Sequence, residues 1–155
     1  MNLVIVSGGQ TGVDRAALDV AMDLNIPSTG WCPKDRWAED GPIDERYPLT
    51  ESASSRLNER TEKNILDSDG TLVLIRKPIS DSGTKTTLKL VRFHNKPYLL
   101  VHLEENENTV HDTVMQWLET YKICRLNVAG PRESNDPGIY QKAYHFLHRL
   151  LKEDS

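Results

Sequence analysis

Short apolar runs alternate along the chain with stretches whose apolar residues recur every three or four positions. Leu3–Val6, Thr71–Ile75, Tyr98–Leu103 and Arg125–Ala129 read as strands, and Ser28–Trp31 as a weaker one. Between them, Val13, Ala16, Ala17, Val20, Ala21 and Leu24 fall on one helical face. So do Val110, Val114, Trp117, Leu118 and Tyr121, and later Tyr140, Ala143, Tyr144, Leu147 and Leu151. Ser54–Leu66 and Thr84–Phe93 also read as helices, the first largely polar. Asp136-Pro137 predicts the N-cap and first turn of the last helix. Strands alternating with helices predict an α/β fold: a Rossmann-like, doubly wound, mostly parallel sheet of about five strands with helices on both faces.

Only Cys32 to Leu49 breaks this rhythm. It holds three prolines and many charges, with Trp31 just before it and Trp37 within it. An irregular segment of that length in a small chain is usually functional or disordered, and its aromatic content favours order.

Composition narrows the picture. At 155 residues, 37% hydrophobic and 27% charged, residues 1–155 predict a single globular domain. The net charge of −4 speaks against nucleic acid as a partner. Cys32 and Cys124 match no zinc or redox spacing and predict two reduced thiols. Met1-Asn2-Leu3 does not open a signal peptide, and no window approaches membrane-spanning length, so the expected location is cytoplasmic.

The candidate chemistry lies in three loops that each follow a strand and lead into a helix. They are Ser7-Gly8-Gly9-Gln10-Thr11-Gly12 with Asp14 and Arg15, Ser80–Thr87, and Gly130-Pro131-Arg132-Glu133-Ser134. In a parallel sheet such loops share one edge, where ligands bind. Each brings glycine, a hydroxyl, a cation and a carboxylate. Gly8, Gly9, Gln10, Thr11, Gly12, Ser82, Gly83, Thr84, Thr86, Gly130 and Ser134 are expected to cradle an anion, with Arg15, Lys85 and Arg132 neutralising it. Taken singly, each loop reads equally as a tight turn or a helix cap.

Gly12 is followed by Val13 and Asp14 rather than Lys and Ser or Thr, so the Walker pattern fails. The dinucleotide fingerprint fails as well, because its glycine spacing is absent and no acid closes the second strand. Neither ATP nor NAD is expected. Arg60 and Asn64 lie one helical turn apart and can both face a cleft or make surface bridges. Glu39, Asp40, Asp44 and Glu45 read as a solvated loop face or as acids for catalysis. Trp31 and Trp37 could stack on a flat ring or anchor the loop. His145 and His148 share a helix face without a third ligand, and Cys32 is a conceivable soft metal ligand. No metal site is assigned.

At these loops the chain resembles the molybdenum cofactor carrier family. The residues that carry the resemblance run from Ser7 to Ala17, then Gly30-Trp31-Cys32-Pro33-Lys34, Ala38-Glu39-Asp40-Gly41 and Tyr47-Pro48-Leu49. They continue with Arg60-Thr61-Glu62-Lys63-Asn64, Asp67–Leu72, Ser82-Gly83-Thr84 and Asn127–Ser134. The resemblance implies a Rossmann-like fold, a phosphate-binding edge, and a homo-oligomer, dimer or tetramer. It also implies binding of the molybdenum cofactor, a phosphorylated pterin, and molybdoenzymes as possible partners. The same superfamily holds lysine-decarboxylase-like cytokinin-activating enzymes and a DNA-processing protein. In the cytokinin-activating branch a glutamate of Gly-Gly-x-Gly-Thr-x-x-Glu works with an arginine on an N-glycosidic bond. Thr87 stands in that place here, and threonine is no acid–base group.

The first expectation is therefore a carrier of a phosphorylated heterocycle, with Asp14, Glu133 or Asn64 bonding to the ring. The alternative is a nucleoside-phosphate hydrolase that recruits Glu39, Asp40 or Glu133 as its acid. A single-strand DNA module is the third, and the charge argues against it.

Overall fold

A computed structural model describes residues 2–54 and 56–152. Ser55, inside the span expected as a helix, and Met1 lie outside the described residues. The elements follow the order β1 (Val4–Val6), α1 (Val13–Asp23), β2 (Ser28–Thr29), β3 (Trp31–Cys32), β4 (Thr50–Glu51), α2 (Leu57–Leu66) and β5 (Gly70–Ile75). After them come α3 (Ser82–Phe93), β6 (Tyr98–His102), α4 (Glu107–Thr120), β7 (Arg125–Ala129) and α5 (Ile139–Lys152).

Five strands form one parallel sheet in the order β2-β1-β7-β5-β6. This is the α/β, Rossmann-like architecture that the alternation predicts. Every residue of β5 is buried, as expected of a central strand covered on both faces. Its side chains divide by the two-residue period of a strand. Leu72 and Leu74 join the main core with residues of α1, α4 and α5. Val73 and Ile75 pack with Leu88 of α3 on the other face. There α2 lies against α3, while α1 lies against α5 on the first.

Helix ends follow local chemistry. Asp81 caps α3, accepting from the Thr84 N–H at 2.8 Å, and Asn106 caps α4, accepting from the Thr109 N–H at 3.0 Å. Asn25, Asn95 and Lys122 adopt left-handed backbone just past α1, α3 and α4 and turn the chain back toward the sheet.

Two expectations change. The strand expected over Ser28–Trp31 breaks at Gly30: β2 stays in the main sheet, and β3 pairs with β4 in a separate parallel ribbon. The insert is therefore tied at both ends, with Trp31 opposite Thr50 and Cys32 opposite Glu51. Asp136 does not cap α5. Its carboxylate binds Arg76 at 2.6 and 3.2 Å, which joins the loop after β5 to the loop after β7. Glu133 caps α5 instead, accepting from the N–H groups of Gly138 (2.7 Å) and Tyr140 (3.0 Å).

Gly30 makes the closest approach of a glycine to another backbone segment. Its φ is +151°, and an added Cβ would stand 1.9 Å from the Ser7 carbonyl oxygen. Gly83 has no such neighbour; its nearest atom would be Asp81 Oδ2 at 3.7 Å. Gly30→Ala is thus expected to cost more than about 2 kcal/mol in urea denaturation, and Gly83→Ala to stay within about 1 kcal/mol of the parent.

Candidate functional site

The three loops meet. Gly8 and Gln10 from the first, Asp81 and Gly83 from the second, and Gly130 and Arg132 from the third line one polar pocket at the C-terminal edge of the sheet. Helix α2 adds Arg60, Thr61 and Asn64, α1 adds Asp14, α3 adds Thr87, and β7 adds Asn127. The pocket lies over β7, between elements that leave for opposite faces, as ligand sites in open α/β sheets do.

Its central feature is an ion pair. Arg60 Nη1 donates to Asp14 Oδ2 at 3.1 Å, and both side chains are almost buried. Burial pushes the Asp14 carboxyl above its ordinary range, against the pull of Arg60. The guanidinium rests on the backbone of Gly8, where a Cβ would come within 1.6 Å of Nη1. Gly8 thus makes room for an arginine. The other glycines of the first loop also serve the protein. Gly9 faces Leu49 and Ile43 of the insert, and Gly12 faces the Pro131 carbonyl.

Two donors at the pocket remain unspent. Gln10 Nε2 and Arg60 Nε are buried without a hydrogen-bond partner among the described residues. Buried donors of native proteins nearly always have a protein or solvent partner. The Gln10 amide has a fixed orientation, because its Oε1 accepts from the N–H groups of Thr11 (3.0 Å) and Glu39 (2.9 Å).

Most of the expected anion-binding groups are occupied otherwise. Arg15 does not line this pocket. It clamps Asp40 with two bonds of 3.0 and 3.1 Å and donates from Nε to the Gly9 carbonyl. Lys85 and Ser82 are exposed on the first turn of α3, Thr86 is half-buried, and none of the three lines the pocket. The N-terminus of α3 receives Asp81 itself, which also accepts from Thr84 Oγ1 at 2.7 Å. Arg132 is the one member of the expected cation trio at the pocket, and its nearest contact with a carboxylate is Glu39 at 3.7 Å. Asn64 reaches the pocket, yet both ends of its amide pair with the Trp31 backbone, at 2.7 and 3.0 Å. Thr87 lines the pocket and donates to the Gly83 carbonyl at 3.1 Å.

The acids proposed for hydrolysis serve as braces. Glu39 accepts from Thr11 Oγ1 and from Ser134 N (3.1 Å) and Oγ (2.6 Å), fastening the insert to the first and third loops. Burial raises its carboxyl, but these bonds outweigh burial and hold it below its usual range. Asp40 is likewise held low by Arg15. Glu39, Asp40 and Glu133 line a second, open groove together with Thr11, Gly12 and Ser134. Tyr47 and Tyr140 both donate to Asp19 there, joining the insert, α1 and α5.

Trp31 anchors rather than stacks on a ligand ring: Nε1 donates to Asp67 at 2.6 Å, and Lys63 lies 4.3 Å from its ring. Trp37 is exposed, Cys32 is buried in the cluster under the insert, and neither lines the pocket. His145 pairs with Glu107 at 3.7 Å, and His148 stacks on Tyr144. Among the described residues no group of three or more metal-binding side chains occurs, and no helix is long and apolar enough to cross a membrane. Asn127, donating to Thr71 at 3.2 Å, is a pocket residue that sequence reasoning missed. A polar side chain in the middle of a strand between apolar neighbours was the available signal.

Because Glu39 and Asp40 have depressed pKa values, the stability they give the insert is complete above their ordinary values of 4.5 and 3.8. It is lost as pH falls through the depressed ones. Amide exchange over residues 33–49, corrected for its intrinsic pH dependence, is expected to accelerate relative to α5 between about pH 5 and about pH 3. Equal protection at both would show that these carboxylates do not hold the insert.

Similarity to known proteins agrees with this fold. The structure matches the crystal structure of a "putative molybdenum carrier protein" from Syntrophus aciditrophicus SB with a TM-score of 0.92 and 41% identity, covering 97% of this chain and 96% of that one. No curated protein matches. The model of the circularly permutated YpsA SLOG family matches residues 5–151, and the chain belongs to that family.

Proposed function

We propose that this protein binds and carries a small phosphorylated heterocycle, the molybdenum cofactor, in the cytoplasm. The reading is supported chiefly by the unspent donors Gln10 Nε2 and Arg60 Nε at a pocket built from all three loops. A ligand that brings acceptors there completes the hydrogen bonding. The name of the similar Syntrophus protein points to molybdenum.

The residues suit the organic part of such a cofactor. Neither Cys32 nor Cys124 lines the pocket, so the protein offers no sulfur there, and the metal would keep the cofactor's own sulfur ligands. Lys85, exposed on the first turn of α3 and outside the pocket lining, is a cation that could meet the anionic end beyond the pocket. A homo-oligomer, and hand-over to a molybdoenzyme, would suit a carrier.

Turnover is the weaker reading. Glu39, Asp40 and Glu133 are committed to bracing and capping, and Thr87 supplies no acid.

The test is anaerobic loading with purified molybdenum cofactor, followed by gel filtration and exposure to air. Co-elution and slowed oxidation of the cofactor are expected. Release of free base from nucleoside monophosphates is not. Failure to retain the cofactor, or equal retention of molybdate alone, would remove the carrier reading.

A further inference from the structure

Resting on that carrier reading, we infer that the pocket receives the ring of the ligand rather than its phosphate. It would read the amino-oxo edge shared by pterins and guanine: an exocyclic carbonyl oxygen, a ring N–H and an exocyclic amino group in a row.

Charge comes first. The cations lining the pocket, Arg60 and Arg132, are matched by Asp14 and Asp81. A phosphate there would face two carboxylates with no excess positive charge. The helix N-terminus that could help, that of α3, already holds Asp81.

Donor and acceptor placement comes second. Gln10 Nε2 cannot exchange places with Oε1, because a flip would set the amide nitrogen against the N–H groups of Thr11 and Glu39. It is a fixed donor, and Arg60 Nε, beside the same pocket, is a donor under any conditions. Both call for an acceptor, which the carbonyl oxygen of the edge supplies. Asp14 supplies the complement. Its carboxylate offers about four acceptor positions. Arg60 takes one and the Gln10 backbone another. Those remaining suit the ring N–H and the amino group. An adenine-type edge presents an amino group where the oxygen should be, and leaves the two donors unpaired.

Calorimetric titration of the intact chain with four probes tests this. Guanosine monophosphate and pterin-6-carboxylate are expected to bind. Adenosine monophosphate should be at least about tenfold weaker, and ribose 5-phosphate should give no measurable heat. Gln10→Glu keeps an oxygen that accepts from Thr11 and Glu39 but exchanges the donor for a second carboxylate oxygen, so the folded variant should bind the first two probes at least about tenfold more weakly. Should that variant not fold, Arg60→Lys removes Nε while keeping the charge beside Asp14, and the same loss is expected.

Equal affinity for the guanine and adenine nucleotides overturns the inference. So does binding fully accounted for by ribose 5-phosphate, or a folded variant with unchanged affinity. If the variants retain the molybdenum cofactor as the parent does, the ring-edge inference fails and the carrier reading stands. If the parent binds the amino-oxo probes and refuses the cofactor, the reverse holds. No binding of any probe or of the cofactor defeats both.

Discussion

The site depends on one buried ion pair, Arg60 with Asp14. It joins two elements that the sheet does not, since α1 and α2 cover opposite faces. Charges this far from water are costly singly, and removing one partner of such a pair typically costs about 3–5 kcal/mol. Helix α2 has little apolar surface of its own to hold it. Its tethers include Ile65 in the core, Asn64 on the Trp31 backbone, Arg60 on Asp14, and Glu62 on His94. Of the polar ones, Asn64 and Arg60 line the pocket. The pocket and the seating of α2 are thus one arrangement.

A second pattern runs through the loops: each uses a carboxylate of this chain where a ligand anion could have sat. Asp81 fills the N-terminus of α3, Glu133 fills that of α5, and Glu39 gathers donors from the first and third loops. Glycine-rich turns with adjoining hydroxyls are read as anion cradles because they expose N–H groups. Here much of that donor capacity is consumed internally, and the unspent part rests on two side chains.

The sheet and its helices were legible because apolar periodicity reports burial directly. β7 matches its predicted bounds, Arg125–Ala129, and α1 begins at the predicted Val13. The shared edge was legible for the same reason, since strand-to-helix loops of a parallel sheet can lie nowhere else. Pairing of charges was not legible. Nothing local distinguishes Arg15, which finds Asp40, from Arg132, which reaches the pocket. Those partners are fixed by the path of the insert, which has no period to read. Gly30 escaped notice as a break because Ser28–Trp31 reads as one strand until the Ser7 carbonyl is seen to occupy the place of a side chain.

The amide of Gln10 is held by the backbone of Glu39, a residue of the insert outside the pocket lining. The orientation of a pocket donor is therefore partly written in a segment outside the cavity wall. Grafting a differently shaped stretch between β3 and β4 would turn that amide and change what the cavity accepts, with every wall residue left as it is. For an engineer, the peripheral loop is the dial and the cavity only the display.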